Sequence, residues 1–194
     1  VHWGGASPDM PEIMKIARLN NLKVVEDACM GIGASLRGKS PGTFGHISAF
    51  SLHPLKSLNA MGDGGAVVTN DKKMYDWLLK YRNHGMINRD TIEIWGINNR
   101  MQPLQCIVGL WGLKKIKKVI KIRNSNAEYY DKRLGIFKNF ITVPKRIQGF
   151  TETYALYMVL CKNRDRLKSF LEKKNIEVKI HYPKALNHQP AFKK

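Results

Sequence analysis

The stretch AFSLHPLKSLNAMGDGGAVVTN, residues 49–70, is the most informative part of this sequence. It contains a single lysine, Lys56, which follows an apolar, strand-like run. A glycine-rich turn and a second apolar run come after it. In α/β sheets, ligands bind where the chain leaves the carboxyl ends of strands. Lys56 is therefore either an ordinary surface charge on a loop or an amine placed for chemistry.

Helix and strand patterns alternate around this stretch. Short apolar runs predict strands at LKVVED (22–27), HISAFSLH (46–53) and GGAVVTN (64–70). Apolar residues at helical spacing predict helices at residues 8–21, 71–85 and 101–134, the last with a bend near Gly112. Ser7 or Asp9 is suited to cap the first helix, and Gly85 to stop the second.

The pattern changes after Gly135. NFITVP, TYALYMVLC, RDRLKSFLEKKN and IEVKIHYP predict strand, strand, helix and strand. We therefore expect residues 1–135 to be the C-terminal part of a large α/β domain, with a mostly parallel sheet flanked by helices and a long connecting helix. Residues 136–194 are expected to be part of a small α+β domain. The chain opens on what resembles the end of a strand, so we expect a piece of a longer protein.

The charge of the chain is strongly positive. Lysine and arginine number 33 and acids 15, which gives a net charge of +18. Such a surface favours anionic partners. Basic residues are densest in KKIKKVIKIR, 114–123, where the pattern is typical of an amphipathic helix with a solvated lysine face. No zinc finger, helix-turn-helix or RNA-binding motif is present, so we do not expect nucleic acid as a partner.

The cysteines and the apolar runs indicate the cellular compartment of the protein. Cys29, Cys106 and Cys161 are widely spaced and show no metal-ligand spacing, which indicates reduced thiols and no metal site. No apolar run approaches the roughly 20 residues that cross a bilayer. We expect a cytoplasmic protein without a membrane partner.

Three side chains are candidates for a site that carries out chemistry. Asp27 ends one predicted strand, Ser51 lies in the next, and Lys56 follows it. An acid, a hydroxyl and an amine at one sheet edge are the groups that pyridoxal phosphate requires. A solvated lysine and a helix-capping aspartate are the alternatives that the residues alone leave open.

Four segments occur in an order that resembles a known family. They are VVEDACMGIGA (24–34), GTFGHISAFSLHPLKSLNAMGDGGAVVTND (42–71), YRNHG (81–85) and GINNRMQPLQCIVGLWGLKKI (96–116). Together they resemble the DegT/DnrJ/EryC1/StrS family of pyridoxal-phosphate-dependent sugar aminotransferases, which have fold type I. The tail RDRLKSFLEKKNIEVKIHYPKALNHQPAF (164–192) is similar to the small domain of that family.

The resemblance implies roles for individual residues. Lys56 matches the lysine that forms the Schiff base and moves the proton between cofactor and substrate carbons. Asp27 matches the acid on the pyridine nitrogen, and Ser51 matches a phosphate ligand. Asn98 matches an asparagine that reaches the phosphate of the neighbouring subunit's cofactor, which implies a homodimer with shared active sites.

Other positions are implied to lie near the cofactor or the substrate. Arg100 follows Asn98 closely and is assigned with it to the cofactor. Met30 stands where the family usually has a glutamine that assists the cofactor's ring oxygen, and a thioether cannot donate that hydrogen bond. His84 and His181 match segments close to the substrate.

The resemblance implies transamination of a nucleotide-linked keto-sugar, with glutamate or glutamine as amino donor, for cell-surface polysaccharide or amino-sugar biosynthesis. The 194-residue chain alone is not expected to form a complete site, because the family places further cofactor contacts before Val1. One alternative is a sugar dehydratase of the same family, in which the lysine is replaced; Lys56 argues against it. The other is an inactive relative that acts as a basic nucleic-acid-binding or scaffold protein.

Overall fold

The computed structural model describes residues 1–193. Their α-helices are α1 (Met10–Leu19), α2 (Lys72–Tyr81), α3 (Pro103–Leu113), α4 (Ile116–Leu134) and α5 (Arg164–Lys173). Their strands are β1 (Val25–Asp27), β2 (Ser35–Leu36), β3 (Ile47–Ser51), β4 (Gly65–Thr69), β5 (Ile141–Thr142), β6 (Phe150–Thr151) and β7 (Leu160–Cys161). Short 3-10 helices cover Trp3–Gly5, Gly135–Phe137, Leu186–His188 and Pro190–Lys193.

A three-stranded sheet in the order β1-β3-β4 lies at the centre of the site region. β1 and β3 run parallel, with Asp27 opposite Ala49. β3 and β4 run antiparallel, with Ser51 opposite Gly65. The chain makes its parallel crossing between β1 and β3, so the ends of those two strands come to the same edge.

The helices begin and end where the sequence indicates. The Asp9 carboxylate caps α1 by accepting the Glu12 N–H at 3.2 Å, so Asp9 rather than Ser7 is the cap. The Asp71 carboxylate caps α2 in the same way, through the N–H groups of Lys73 and Met74. The predicted bend near Gly112 is confirmed, because α3 ends at Leu113 and α4 begins at Ile116.

The predicted strands after Gly135 are only partly confirmed. β5 and β7 form a short antiparallel pair, but of the run 153–161 only Leu160–Cys161 is a strand. The prediction of a strand at 176–183 is wrong, since no ladder forms there in the described part of the chain. An extended segment becomes a strand only when a neighbour pairs its N–H and C=O groups, which the sequence of that segment cannot reveal.

The chain divides into two compact units. The first contains Val1–Arg133 and Lys145–Met158, and the second contains Leu134–Pro144 and the residues from Val159 onward. The segment 145–158, called here the return segment, therefore belongs with the first unit. The domain division expected at residue 135 stays a prediction.

The first unit has a small core and much exposed apolar surface. Its buried apolar side chains are Met10, Ala17, Ala28, Ala34, Leu36, Leu58, Ala60, Ile120 and Ala127. Val25 on β1 is 71% exposed and Val67 on β4 is 54% exposed. Helix α3 has no buried residue although it is almost wholly apolar. Apolar patches of this kind mark surfaces that other protein covers.

Several hydrogen bonds fasten the return segment to helix α4, and three of them meet at the Asp131 carboxylate. Arg146 donates from Nε and Nη2 to the two oxygens of Asp131, both at 2.9 Å. The Tyr157 hydroxyl donates to the same carboxylate at 2.7 Å. The Arg146 guanidinium also lies over the ring of Tyr154, 5.1 Å from its centroid. Paired hydrogen bonds of this kind are charge-assisted and directional.

We expect Asp131→Asn to lower the free energy of unfolding by about 2 kcal/mol at pH 7, because hydrogen bonds to charged groups contribute that much. Hydrogen bonding to Arg146 holds the pKa of Asp131 below its usual range. A lowered folded-state pKa adds stability above the unfolded value of about 3.9, and that stability is lost as the pH falls further. Denaturant unfolding of wild type and variant at pH 7 and in acid checks this, and the difference should shrink in acid.

The matched control is Asp76→Asn. Asp76 pairs with Lys72 on the exposed side of α2, where an ion pair contributes less than about 1 kcal/mol. A difference for Asp131→Asn that matched the control, or that persisted unchanged in acid, would contradict the assignment of the fastening to the Asp131 carboxylate.

Candidate active site

A closed loop after β3 presents Lys56. The Leu52 N–H donates to the Gly64 carbonyl at 2.7 Å, and the Ala60 N–H donates to the Leu52 carbonyl at 3.0 Å. Inside this loop the Lys56 N–H donates to the His53 carbonyl at 2.9 Å. Lys56 is half-buried, and its ammonium makes no ion pair or hydrogen bond within residues 1–193. The backbone of this lysine is therefore fixed while its amine is left for another partner.

Asp27 and Ser51 lie on one face of the sheet. Asp27 is opposite Ala49 in the parallel pair, and side chains two residues apart on a strand share a face. The other face carries Glu26 and Ser48, which are opposite each other and both buried. The strand register thus delivers the acid and the hydroxyl to the same side, close to the turn that carries Lys56.

The surroundings of Asp27 include the charge of Lys56. Burial works to raise the pKa of Asp27, but hydrogen bonds from Cys29 and nearby positive charges, Lys56 among them, outweigh it, and the pKa is lowered. The Cys29 N–H donates to Asp27 Oδ1 at 3.1 Å. Burial and the neighbouring Asp27 raise the pKa of the Cys29 thiol to about 11, and the charge of Lys56 opposes that rise. The site therefore holds an ionised carboxylate and a neutral thiol beside the side chain of Lys56.

These groups fit pyridoxal phosphate. The cofactor requires an amine for its aldehyde, an anion beside its pyridine nitrogen and polar groups for its phosphate. Lys56 and Asp27 are chemically suited to the first two requirements. The buried hydroxyl oxygen of Ser57, next to the lysine, has no hydrogen-bond partner within the described residues. A buried polar atom without a partner is costly, so an unmet partner at this position agrees with a polar ligand.

Met30 is joined to the return segment through its backbone carbonyl. Its side chain is half-buried, and its carbonyl accepts the Thr153 hydroxyl at 2.6 Å. Thr153 is fully buried in the return segment. The backbone after Asp27 is thereby held in place at Met30. The assignment of the Met30 side chain to the cofactor stays a prediction.

The remaining predicted residues form a second group. Arg100 Nε donates to Asn98 Oδ1 at 2.9 Å, and Asn98 pairs with Asn83 in an isolated bridge. The His84 N–H donates to the Ile97 carbonyl at 2.9 Å. In residues 1–193 no hydrogen bond joins this group to the three groups on the sheet. The roles of Asn98, Arg100 and His84 stay predictions.

His181 belongs to the second compact unit, whereas both groups belong to the first. It is an exposed residue. Its assignment to the substrate stays a prediction.

Sequence reasoning missed Cys29 and Ser57 as members of the site. Cys29 is two residues after Asp27, the spacing at which an aspartate accepts a backbone N–H in an Asx turn, and this signal was in the sequence. Ser57 follows Lys56 directly, but nothing in the sequence shows that its hydroxyl is buried without a partner. No cluster of three or more histidine, cysteine or acidic side chains within residues 1–193 could hold a metal ion.

The family profile of the DegT/DnrJ/EryC1/StrS aminotransferase family matches residues 1–194. The dTDP-3-amino-3,4,6-trideoxy-alpha-D-glucose transaminase of Streptomyces venezuelae is 32% identical over 192 residues, which are 99% of this chain and 50% of that protein. A DegT DnrJ EryC1 StrS aminotransferase from Brucella abortus superposes with a TM-score of 0.92 at 32% identity, over 99% of this chain and 51% of that one.

A protein from Bacillus subtilis, solved with the cofactor PMP bound, superposes with a TM-score of 0.86 at 26% identity, over 97% of this chain and 44% of its own. The chain therefore belongs to the DegT/DnrJ/EryC1/StrS aminotransferase family, and its predicted α/β fold of fold type I is confirmed. Members of this family use pyridoxal phosphate. The chain spans about half the length of the curated relatives it matches.

Proposed function

We propose that this chain is part of a pyridoxal-phosphate-dependent aminotransferase that acts on a nucleotide-linked keto-sugar. The observation that carries the proposal is the placement of Lys56, whose half-buried amine has no ion-pair partner and whose charge acts on Asp27. A solvated surface lysine would not require the closed loop that fixes its backbone. Relatives of the chain are named as transaminases of nucleotide-linked sugars, which supports the substrate class.

The proposed roles of the residues are binding of the cofactor and proton transfer. When bound, the cofactor supplies an electron sink that lets an amino group move from donor to ketone. Lys56 Nζ would hold the cofactor at its aldehyde, and the freed amine would carry a proton to and from the substrate carbon. Asp27 keeps a negative charge beside the pyridine nitrogen. Ser51 is assigned to the phosphate.

The second group of residues is assigned to the shared part of the site. We propose that Asn98 and Arg100 reach the cofactor phosphate of a second copy, so that the enzyme is a homodimer with shared sites. His84 and His181 are assigned to the substrate. Glutamate or glutamine is the proposed donor, and the reaction belongs to polysaccharide or amino-sugar biosynthesis in the cytoplasm.

The charge of the chain agrees with this substrate class. A nucleotide diphosphate is anionic at neutral pH, and the net charge of +18 favours its approach. No helix in residues 1–193 is both long and apolar enough to span a membrane.

Labelling of Lys56 tests the cofactor assignment. The full-length protein is incubated with limiting pyridoxal phosphate, reduced with borohydride and digested, and the peptides are examined by mass spectrometry. We expect one cofactor mass per chain, on the peptide that contains Lys56. No label, or a label spread over the surface lysines, would overturn the assignment and favour a binding protein without this chemistry.

An isotope experiment tests the substrate class. Nucleotide-linked keto-sugars are supplied with glutamate labelled with ¹⁵N at its α-amino group. The aminated sugar should gain that isotope. Incorporation from the amide of labelled glutamine instead would identify glutaminase-type donation and correct the assignment of the donor chemistry.

A further inference from the structure

A buried histidine–glutamate pair lies on the sheet face opposite the candidate site. The His2 and Glu26 side chains are each 1% exposed, and His2 Nε2 lies 2.8 Å from Glu26 Oε2. His2 Nδ1 is 3.1 Å from the Ser7 hydroxyl. The roles derived so far for the site residues do not use this pair, although Glu26 is the residue directly before Asp27.

The turn that precedes β3 closes over the Glu26 carboxylate. The Gly42 N–H donates to Oε2 at 2.8 Å and the Phe44 N–H donates to Oε1 at 2.7 Å, and the Gly45 N–H also donates to Oε1. Gly42 has a φ of +83°, and a Cβ at Gly45 would lie 2.8 Å from the Val24 carbonyl oxygen. Glycine at these two positions lets the backbone approach the carboxylate this closely.

The pair holds one negative charge. Burial works to raise the pKa of Glu26, but the surrounding N–H groups and His2 outweigh it and lower the pKa. Burial lowers the pKa of His2, so the neutral imidazole donates from Nε2. A buried ionised group of this kind contributes little net stability compared with a well-packed apolar pair. Stability alone therefore does not account for it.

The connections of Glu26 join the elements that carry the site. The carboxylate ties β1 to the turn that leads into β3, and β3 leads to Ser51 and Lys56. The backbone N–H of His2 donates to the backbone carbonyl of Asp27 at 2.9 Å. His2 is thus bonded to Glu26 through its side chain and to Asp27 through its backbone. A shift of the turn against β1 would move Lys56 relative to Asp27.

We propose that the His2–Glu26 pair is a positioning element that fixes Asp27 and Lys56 at the separation that pyridoxal phosphate requires. The proposal rests on the function proposed above. Glu26 and His2 act through the backbone of β1 and of the turn, and they touch neither cofactor nor substrate.

Affinity for the cofactor tests the proposal in the full-length protein. The variants Glu26→Gln, His2→Leu and His2→Gln are titrated with pyridoxal phosphate. The absorbance of the bound cofactor gives the dissociation constant of the folded protein in each variant. Glu26→Gln and His2→Leu should weaken binding about tenfold or more, since a misplacement of about 1 Å can cost on the order of 100-fold in a positioned site. His2→Gln keeps an N–H donor in the place of Nε2 and should stay close to wild type.

Controls separate positioning from general stability. Glu93→Gln, which removes an exposed ion pair with Lys80, should leave the dissociation constant unchanged. Amide hydrogen exchange should rise in the peptides 42–46 and 52–57 in His2→Leu and not in His2→Gln.

The outcomes divide cleanly between the two proposals. If wild type does not take the cofactor on Lys56, the proposed function fails and the positioning role fails with it. If wild type takes the cofactor and His2→Leu binds it as tightly, only the positioning role is overturned. Equal weakening in His2→Gln and His2→Leu would also overturn it, because the donor to Glu26 would then be irrelevant.

Discussion

Lys56→Ala in the full-length protein is expected to lower kcat for amino transfer by about 10³-fold, the range typical of a lost proton-transfer group. The variant loses both the attachment of the cofactor and the amine that carries the proton. Its backbone should remain in place, because the loop around Lys56 is held by main-chain hydrogen bonds from Leu52, Lys56 and Ala60. Steady-state kinetics and the borohydride label are measured on the same preparation. We expect kcat to fall by this factor and the label to disappear.

Two further variants sharpen this result. Lys56→Arg keeps the positive charge near Asp27 but cannot form the attachment, so it should be as inactive as the alanine variant. Lys73→Ala removes an exposed lysine of α2 and should keep wild-type activity. Activity in Lys56→Arg, or an undiminished label in Lys56→Ala, would show that another amine carries the cofactor.

Asp27→Asn is expected to lower kcat by about 10- to 100-fold. A hydrogen bond to a charged group is worth about 1.5–3 kcal/mol, and each 1.4 kcal/mol is a factor of ten. The amide keeps the shape of the side chain and its bond from the Cys29 N–H, so the loss reports the missing negative charge. The absorbance of the bound cofactor against pH should change with it, because the pyridine nitrogen would no longer be held protonated.

Asp76→Asn is the matched control for Asp27→Asn, since it makes the same chemical change on the exposed side of α2. It should leave both kcat and the absorbance unchanged. If Asp27→Asn kept wild-type activity and the wild-type spectrum, the acid of the site would have to be sought elsewhere.

The elements that the sequence predicted well are those whose signal is local. Amphipathic spacing located α1 and α2, and the caps Asp9 and Asp71 fixed their starts. The bend before α4 was also marked locally, by Gly112. For the site, the order of acid, hydroxyl and lysine left other interpretations open, and the resemblance to the family implied the chemistry. The parallel register of β1 with β3 places Asp27 and Ser51 on one face.

The elements that the sequence did not predict depend on distant partners. Residues 176–183 have the alternation of a strand, but a ladder requires a neighbour that pattern cannot supply. The buried state of Glu26 depends on the N–H groups of the turn Gly42–Gly45, which is sixteen residues further along the chain at its nearest donor. Strand alternation turns Glu26 away from Asp27, but alternation does not reveal what the carboxylate binds.

Adjacent acids on opposite faces of β1 limit the mutations that this part of the protein can tolerate. A substitution at Val24 or Val25 changes one contact, whereas a single-codon deletion there moves every later side chain of the strand to the other face. Glu26 would then point to the cofactor side and Asp27 into the glycine turn. We expect lineages of this family to accept amino-acid replacements at Val24 and Val25 more readily than length changes there, while the exposed turn at Arg37 and Gly38 tolerates both.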